Sequence, residues 1–231
     1  MAIIEYRNLT KVYKNVPALN GVNLDIPAGR IVGLLGPNGS GKTTLIKLSV
    51  GLLTPTAGTV MIDGNVPGPQ TKAVTAYLPE KSYMSEWMSV SSIVSYFADF
   101  YRDFDKNKAY EMLSRLGIDP KRTLKTLSKG TKEKVQLVLV MSRAAKVYFL
   151  DEPIAGVDPA ARDYILNTII RNYSENASVI ISTHLIYDVE NVLDDAIFIR
   201  NGQIVLADSA DNIRENSGKT VDMLFREVFR C

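Results

Sequence analysis

The chain has 231 residues, 46% of them apolar and 23% charged, with 27 basic against 25 acidic side chains for a formal net charge of +2. A chain of this length buries about 70% of its unfolded surface, so a stable core is expected. Balanced charge, with no block of one sign, excludes a nucleic-acid groove or a polybasic membrane anchor as its organising feature. No apolar stretch reaches the roughly 18 to 20 residues that span a bilayer. The start Met1-Ala2-Ile3-Ile4-Glu5 lacks the basic opening and long apolar core of a signal peptide, and the single cysteine, Cys231, has no partner for an internal disulfide. A reducing, cytosolic setting is therefore expected, with any membrane role supplied through another chain.

In chain order, short apolar runs at 3–6, 22–26, 31–35 and 59–62, the last closing on Asp63-Gly64, predict strands. Between the third and fourth, residues 36–43 read Gly-Pro-Asn-Gly-Ser-Gly-Lys-Thr. This is a complete G-x-x-x-x-G-K-[ST] loop, preceded by Ile31-Val32-Gly33-Leu34-Leu35 and followed by the helix-like Thr44-Leu45-Ile46-Lys47-Leu48. Small residues let consecutive backbone N–H groups turn inward around phosphate oxygens, while the helix points its positive end at them. Gly36, Pro37, Asn38, Gly39, Ser40, Gly41 and Thr44 are assigned to the phosphates on this ground, and Lys42 to the β- and γ-phosphates. Thr43 offers its hydroxyl to Mg²⁺, which takes few protein ligands. A glycine-rich turn with a chance lysine would lack the flanking strand and helix. A dinucleotide fingerprint needs a glycine three residues beyond Gly41, where Thr44 stands. A nucleoside triphosphate is the predicted ligand.

Tyr77-Leu78-Pro79-Glu80 closes a further strand, and Ser82-Tyr83-Met84-Ser85-Glu86-Trp87-Met88 holds the only tryptophan. Exposed, this segment suits a helix from a membrane subunit, because methionine adapts its shape and tryptophan contributes large area; turned inward, it packs the helical middle. The residues leave both open. The pattern is helical over 90–101, 106–116 with Gly117 as the stop, and 132–145. Strands at 147–150, 178–182 and 196–200 then alternate with helices at 160–173 and 185–192. Asn201-Gly202 reads as a two-residue hairpin turn, and beyond residue 210 only short helices are expected, among them 220–229.

The predicted fold class is α/β: a P-loop NTPase core with a mixed, partly parallel sheet, a β-rich N-terminal part and an inserted helical subdomain. One domain spans 1–231, with about 1–80 and 146–231 forming the nucleotide-binding core and 81–145 the helical insertion. Val147-Tyr148-Phe149-Leu150-Asp151-Glu152-Pro153 delivers two carboxylates at a strand end. Asp151 is suited to hold Mg²⁺ through water and Glu152 to orient or deprotonate an attacking water. By itself such a pair is a solvated turn before a proline; beside a phosphate loop the catalytic reading prevails. His184, the only histidine, follows the β-branched run Val179-Ile180-Ile181-Ser182-Thr183. A lone histidine there is ordinarily a satisfied polar residue, but a neutral imidazole both donates and accepts, and so can link γ-phosphate, water and carboxylate.

The order of these motifs resembles the ATP-binding cassette family over almost the whole chain. Leu127-Ser128-Lys129-Gly130-Thr131 stands at the family's L-S-G-G-Q signature, ahead of the final helix of the insertion. Ala155-Gly156-Val157-Asp158 stands at its A-L-D-like loop, Tyr13 at the aromatic position before the phosphate loop, and His184 at the switch histidine. The resemblance implies that Tyr13 stacks on adenine, although alone it would read as a strand packing residue. It also implies two units facing head to tail, each ATP lying between one unit's phosphate loop and the other's signature. Ser128 and Gly130, at a helix start, would then cap the γ-phosphate, Ser128 being otherwise an ordinary N-cap.

Two positions depart from the family. Glu80 stands where glutamine is usual; it is assigned to the metal, yet adds negative charge beside a phosphate. Lys129 and Thr131 replace glycine and glutamine, and Lys129 either approaches the opposite phosphates or points to solvent. The expected function is the ATP-binding and hydrolysing subunit of a transporter, with Glu152, His184 and Lys42 as catalytic residues and ATP and Mg²⁺ as cofactors. ATP-driven dimerisation and hydrolysis would drive separate transmembrane subunits in export, a direction the resemblance favours because little chain follows the core. The expected assembly is a homodimer, or a heterodimer with another cassette subunit, held peripherally on the cytoplasmic face of the membrane and binding no nucleic acid. The rival readings are a soluble cassette ATPase of DNA repair or translation, and a low-turnover nucleotide-dependent regulator, which Glu80 and Lys129 suggest.

Overall fold

The computed structural model describes residues 2–156, 159–174 and 176–229, with backbone alone at 159–161. Val157, Asp158 and Cys231 of the sequence reading lie outside the described residues.

Strands β1 (Ala2–Tyr13) and β2 (Val16–Pro27) form a long antiparallel hairpin, of which the predicted runs 3–6 and 22–26 are only the apolar parts. Beyond Tyr6 the pairing shifts register repeatedly, and each shift changes which residues face inward, so the period of two that marks a strand is lost. β3 (Ile31–Leu35) leads through the loop 36–41 into helix α1 (Lys42–Ser49). β4 (Ala57–Ile62) returns to the free edge of β1, completing a three-stranded sheet in the order β2-β1-β4.

Next come α2 (Pro69–Val74), β5 (Thr75–Leu78), α3 (Val90–Phe100), α4 (Lys106–Arg115) and α5 (Lys129–Met141). β6 (Val147–Asp151), α6 (Pro159–Asn172), β7 (Ser178–Thr183), α7 (Ile186–Val189), β8 (Asp195–Arg200), β9 (Gln203–Ser209), α8 (Ala210–Ser217) and α9 (Val221–Phe229) complete the described elements. A six-stranded sheet runs β5-β6-β7-β3-β8-β9, parallel except for β9, which turns back from β8 at Asn201-Gly202. Its central strands are apolar without alternation because both faces are covered. In β6, Tyr148 and Leu150 enter the cluster shared with the helical middle, whereas Val147 and Phe149 enter the cluster beneath α1 and the N-terminal sheet. The carboxyl ends of β3, β6 and β7 thereby meet at one edge, where a parallel sheet presents its ligand site.

Three of the boundaries that differ from the sequence reading are at α5 and α7. α5 begins at Lys129 rather than 132, because the Ser128 hydroxyl accepts from the Thr131 N–H at 3.2 Å and caps the helix earlier. It ends at Met141 rather than 145 because Arg143 is captured by tertiary bonds. Its guanidinium donates to Asp103 at 3.0 Å and to the carbonyls of Ala73 at 3.1 Å and Thr75 at 2.5 Å, and lies 3.9 Å from the centroid of the Tyr101 ring. The expected helix 185–192 is α7 followed by a 3-10 turn, Glu190–Val192. Helix α2 was hidden in a Pro-Gly-Pro stretch that reads as loop; Pro69 opens it, where a missing N–H costs nothing, and Thr71 Oγ1 accepts from the Gly68 N–H at 2.9 Å.

Candidate functional site

The loop after β3 is wedged between the N-terminal hairpin and β8, and Gly36 and Gly41 are required by that wedge. A Cβ on Gly36 would stand 2.4 Å from the Ile199 carbonyl oxygen, and one on Gly41, whose φ is 114°, would stand 2.7 Å from the Ala18 oxygen. The loop closes on itself through Ser40 N–H to the Pro37 carbonyl at 3.2 Å, and Gly202 N–H donates to the Ser40 carbonyl at 2.9 Å. Lys42, only 5% exposed, folds back along it: Nζ donates to the Gly36 carbonyl at 2.7 Å and the Pro37 carbonyl at 3.3 Å. The same ammonium lies 3.2 Å from Glu152 Oε1. Ser40 Oγ is buried without a partner among the described residues.

Register pairing of β6 with β7 sets Asp151 beside Ser182. Asp151 Oδ1 accepts from Ser182 Oγ at 2.6 Å and from Thr43 Oγ1 at 3.1 Å, while Oδ2 is buried with no partner. Burial raises the pKa of this carboxyl; the bonds from Ser182 and Thr43 pull it down, and the neighbouring Glu152 and Glu80 charges push it up again. A buried carboxylate with one vacant oxygen beside a threonine hydroxyl fits a hard divalent cation. Among the described residues no three His, Cys, Asp or Glu side chains converge on one metal position. Mg²⁺ takes one or two carboxylates and keeps waters, as the Thr43–Asp151 pair allows.

Glu152 turns the chain sharply at the strand end, with φ of 50°, a left-handed conformation that costs a bulky residue about 1–3 kcal/mol. Its N–H is held by the Ser182 carbonyl at 3.0 Å and by Ser182 Oγ at 3.1 Å. Its side chain is thereby aimed between two nitrogens, with Oε2 3.0 Å from His184 Nδ1 and Oε1 near Lys42. A carboxylate so placed can accept a proton from a water, with the imidazole fixing its orientation. Lys42, Thr43, Asp151, Glu152 and His184 are thus brought together as expected. Ser182, which ties Asp151 to Glu152, was missed; its one signal is a hydroxyl inside a β-branched run two residues before the histidine.

The remaining candidates stand apart from this cluster. The Tyr13 ring is exposed near the hairpin tip, with Lys11 Nζ 5.3 Å from its centroid, rather than packed in the core. Glu80 is exposed on the loop after β5 and borders the cleft that Thr43 and Asp151 line. Ser128 is exposed and bonded to Thr131, and a Cβ on Gly130 would meet nothing within 4 Å. Lys129 is 81% exposed, its Nζ 3.8 Å from Glu133 Oε1. In the loop 82–88 the two alternatives divide: Met84 and Met88 pack against the core while Trp87 is 77% exposed.

The sequence model of a family described as "ABC transporter" matches residues 19–155. The chain is 30% identical over 211 residues to the SkfA peptide export ATP-binding protein SkfE of Bacillus subtilis, covering 89% of this chain and 88% of that one. It is 28% identical over 218 residues to the lantibiotic transport ATP-binding protein SrtF of Streptococcus pyogenes, covering 92% and 95%. A solved ATP-binding subunit of an ABC transporter superposes with a TM-score of 0.86 at 28% identity, covering 98% of this chain and 99% of that one. A dimeric ATP-binding cassette bound to ADP and Pi shares the fold, with a TM-score of 0.79 at 21% identity over 89% of this chain and 98% of that one. Among the described residues no helix is long and apolar enough to cross a membrane.

Proposed function

Because this chain belongs to the ABC transporter family and is the ATP-binding subunit of such a transporter, we propose that it hydrolyses ATP to drive separate transmembrane subunits in export. The observation that carries hydrolysis is the aim of Glu152, held between Lys42 and His184 beside the Thr43–Asp151 pair. The loop amides of 36–41 and Lys42 hold the triphosphate; Ser40 Oγ, buried and unpartnered, turns toward a phosphate oxygen. Thr43 and Asp151 Oδ2 would hold Mg²⁺, and Glu80 at the cleft mouth would offer a further oxygen. Bound there, Mg²⁺ supplies neutralisation of charge on the β- and γ-phosphates. Glu152 takes a proton from the attacking water, and His184 Nδ1 keeps that carboxylate oriented.

Lys42 has two roles in sequence. Its ammonium is held by the Gly36 and Pro37 carbonyls and lies against Glu152; a phosphate competes for it, freeing Glu152 Oε1 to face water. Tyr13, exposed ahead of the loop, stacks on adenine, and Ser128 with Gly130 completes the site of a second cassette. The chain acts as one cassette domain, with 81–145 as its helical part, peripheral at the cytoplasmic face of the membrane. The relative named as a peptide export ATP-binding protein supports export as the direction.

The test is the solution mass of Glu152→Gln with and without Mg-ATP, alongside phosphate release by the unaltered chain. A mass that doubles only with Mg-ATP, and turnover lost in the variant, are expected. Equal turnover in the two chains would sink the hydrolytic reading.

A further inference from the structure

Glu80 and Lys129 are the charged positions at which the chain leaves its family's pattern, and each stands in the fold without the support a charge ordinarily has. Glu80 is exposed on the loop after β5 and makes no ion pair or side-chain hydrogen bond among the described residues. It borders the cleft that Thr43 and Asp151 line, and its charge reaches the site: together with Glu152 it pushes the Asp151 carboxyl up. Glu80, Asp151 and Glu152 thus gather at one place, where the buried Lys42 ammonium already lies 3.2 Å from Glu152. Ser40 Oγ and Asp151 Oδ2, buried and unpartnered among the described residues, mark this as the side that receives a ligand. A triphosphate arriving there meets one more negative charge than it would beside the neutral amide usual at position 80.

Lys129 is the mirror case. It opens α5, where the helix macrodipole disfavours a cation, and the first turn of that helix carries no acidic residue. Glu133 lies 3.8 Å from its Nζ, beyond hydrogen-bonding distance and in the less favourable order for an i, i+4 pair. The side chain is 81% exposed and leans over the loop after Glu152, its Nζ 3.6 Å from where a Gly156 Cβ would stand. Of the lysines in the first two turns of α5, Lys132 is spent on Glu86, and Lys134 lies over the Tyr164 ring. Lys129 is therefore the one held out beside Ser128 without a close counter-charge.

We propose that Glu80 and Lys129 are a complementary pair across two copies of this chain: the Lys129 ammonium of one copy enters the other's nucleotide site and neutralises the charge that Glu80 brings there. The inference rests on the head-to-tail reading of two cassettes and names the partner, a second copy of this chain. Neither residue belongs to the family's usual site, where glutamine and glycine stand, so the pair serves the choice of partner and is not part of the common chemistry. A cassette with those usual residues leaves Glu80 without a cation at one site and gives Lys129 no added carboxylate at the other. Two copies of this chain satisfy both sites. Opposite charges that meet only in the correct assembly favour it, and uncompensated charges reject the alternatives.

The experiment uses the full chain carrying Glu152→Gln as parent, with Mg-ATP, and reads dimers by solution mass, one preparation in each mixture bearing a mass tag. Lys129→Glu added to the parent should leave it monomeric where the parent is dimeric, because both of its sites then gather carboxylates. Mixed with a Glu80→Lys chain it should enter dimers, one site holding the original pair and the other the exchanged pair. Recovery should be at least about tenfold greater than on mixing with the parent, which differs only at the residue facing the altered position in trans. A milder set reads the same coupling: Lys129→Gln should weaken the ATP-bound dimer at least about tenfold, and Glu80→Gln added to it should restore most of that loss, both effects shrinking as salt rises. Should an exchange variant fail to melt cooperatively or to bind a labelled nucleotide, this glutamine set decides. Equal recovery in the two mixtures, additive effects in the glutamine set, or dimers of Lys129→Glu as stable as the parent's overturn the inference; the last result would assign the counter-charge to Lys81, which lines the same cavity as Glu80 in one chain. A parent that binds nucleotide and never dimerises removes the head-to-tail reading and the inference with it, whereas loss of coupling in a dimeric parent removes the inference alone.

Discussion

The phosphate loop with its strand-end carboxylates and the turn at 127–131 are parts of one proposed reaction, yet they are built in opposite ways. In the first, every key side chain is buried or bonded: Lys42 to two carbonyls and Glu152, Asp151 to Thr43 and Ser182, Glu152 to His184. In the second, Ser128 and Lys129 face outward at the start of α5, with Gly130 half-buried beside them, and among the described residues they bond only to their own helix. One half is wired within the chain, and the other is offered outward. The contrast teaches that polar groups are left unsupported at a surface when their partner is to arrive from outside, whereas groups that must hold a charge in place are locked by their neighbours.

The largest effects should fall on the wired half. Glu152→Gln should lower phosphate release by at least about 10²-fold, the usual loss for a general base. A mixing experiment would sharpen the comparison further. Lys42→Ala and Ser128→Ala should each be nearly inactive alone, but an equal mixture should recover about a quarter of the unaltered turnover, since half of the dimers are mixed and one of their two sites is intact. No recovery would break the idea that the exposed turn serves another chain's phosphate loop. Stability gives a smaller signal. Ser128→Ala removes a helix cap and should cost about 1 kcal/mol, whereas Ser128→Asn preserves the cap and isolates the loss of turnover.

Asp151→Asn should act on stability in the opposite direction. Its pKa is raised in the folded chain, so Asp151 favours folding fully below the ordinary carboxylate range, and that contribution is lost as pH rises through the raised value. At neutral pH the substitution should therefore raise the Tm of the nucleotide-free chain, while abolishing the Mg²⁺-dependent increase in Tm with ATP. A thermal melt across pH, with and without Mg-ATP, checks both signs. Lys129→Ala, at the exposed end, should change stability by less than about 0.5 kcal/mol.

The wired half was the more legible in the sequence because most of it is local. A phosphate loop is a run of backbone with its strand and helix attached, and Asp151-Glu152 follows an unbroken apolar strand. Ser182 was not legible, because its role exists only through the parallel pairing of β6 with β7, which no neighbouring residue reports. The start and end of α5 failed for related reasons: a cap at Ser128 extends the helix by a turn, and the long-range capture of Arg143 overrides the helical preference of the alanines beside it. Beyond Tyr6 the hairpin lost its signature to register shifts, so a long strand looked like a short one. In the loop 82–88 the residues alone could not decide, since the segment does both: its methionines pack inward and its tryptophan faces out.

The exposed apolar residues about the loop 82–88 also bear on how this chain is produced. Leu52, Tyr83, Trp87, Tyr96 and Phe100 together leave a sticky face on any copy made in excess of what covers it. Surplus copies will self-associate or be taken by chaperones and proteases, so the abundance of the chain is tied to that of its partner. At the bench the same feature predicts poor yields when the gene is expressed alone, and recovery on co-expression.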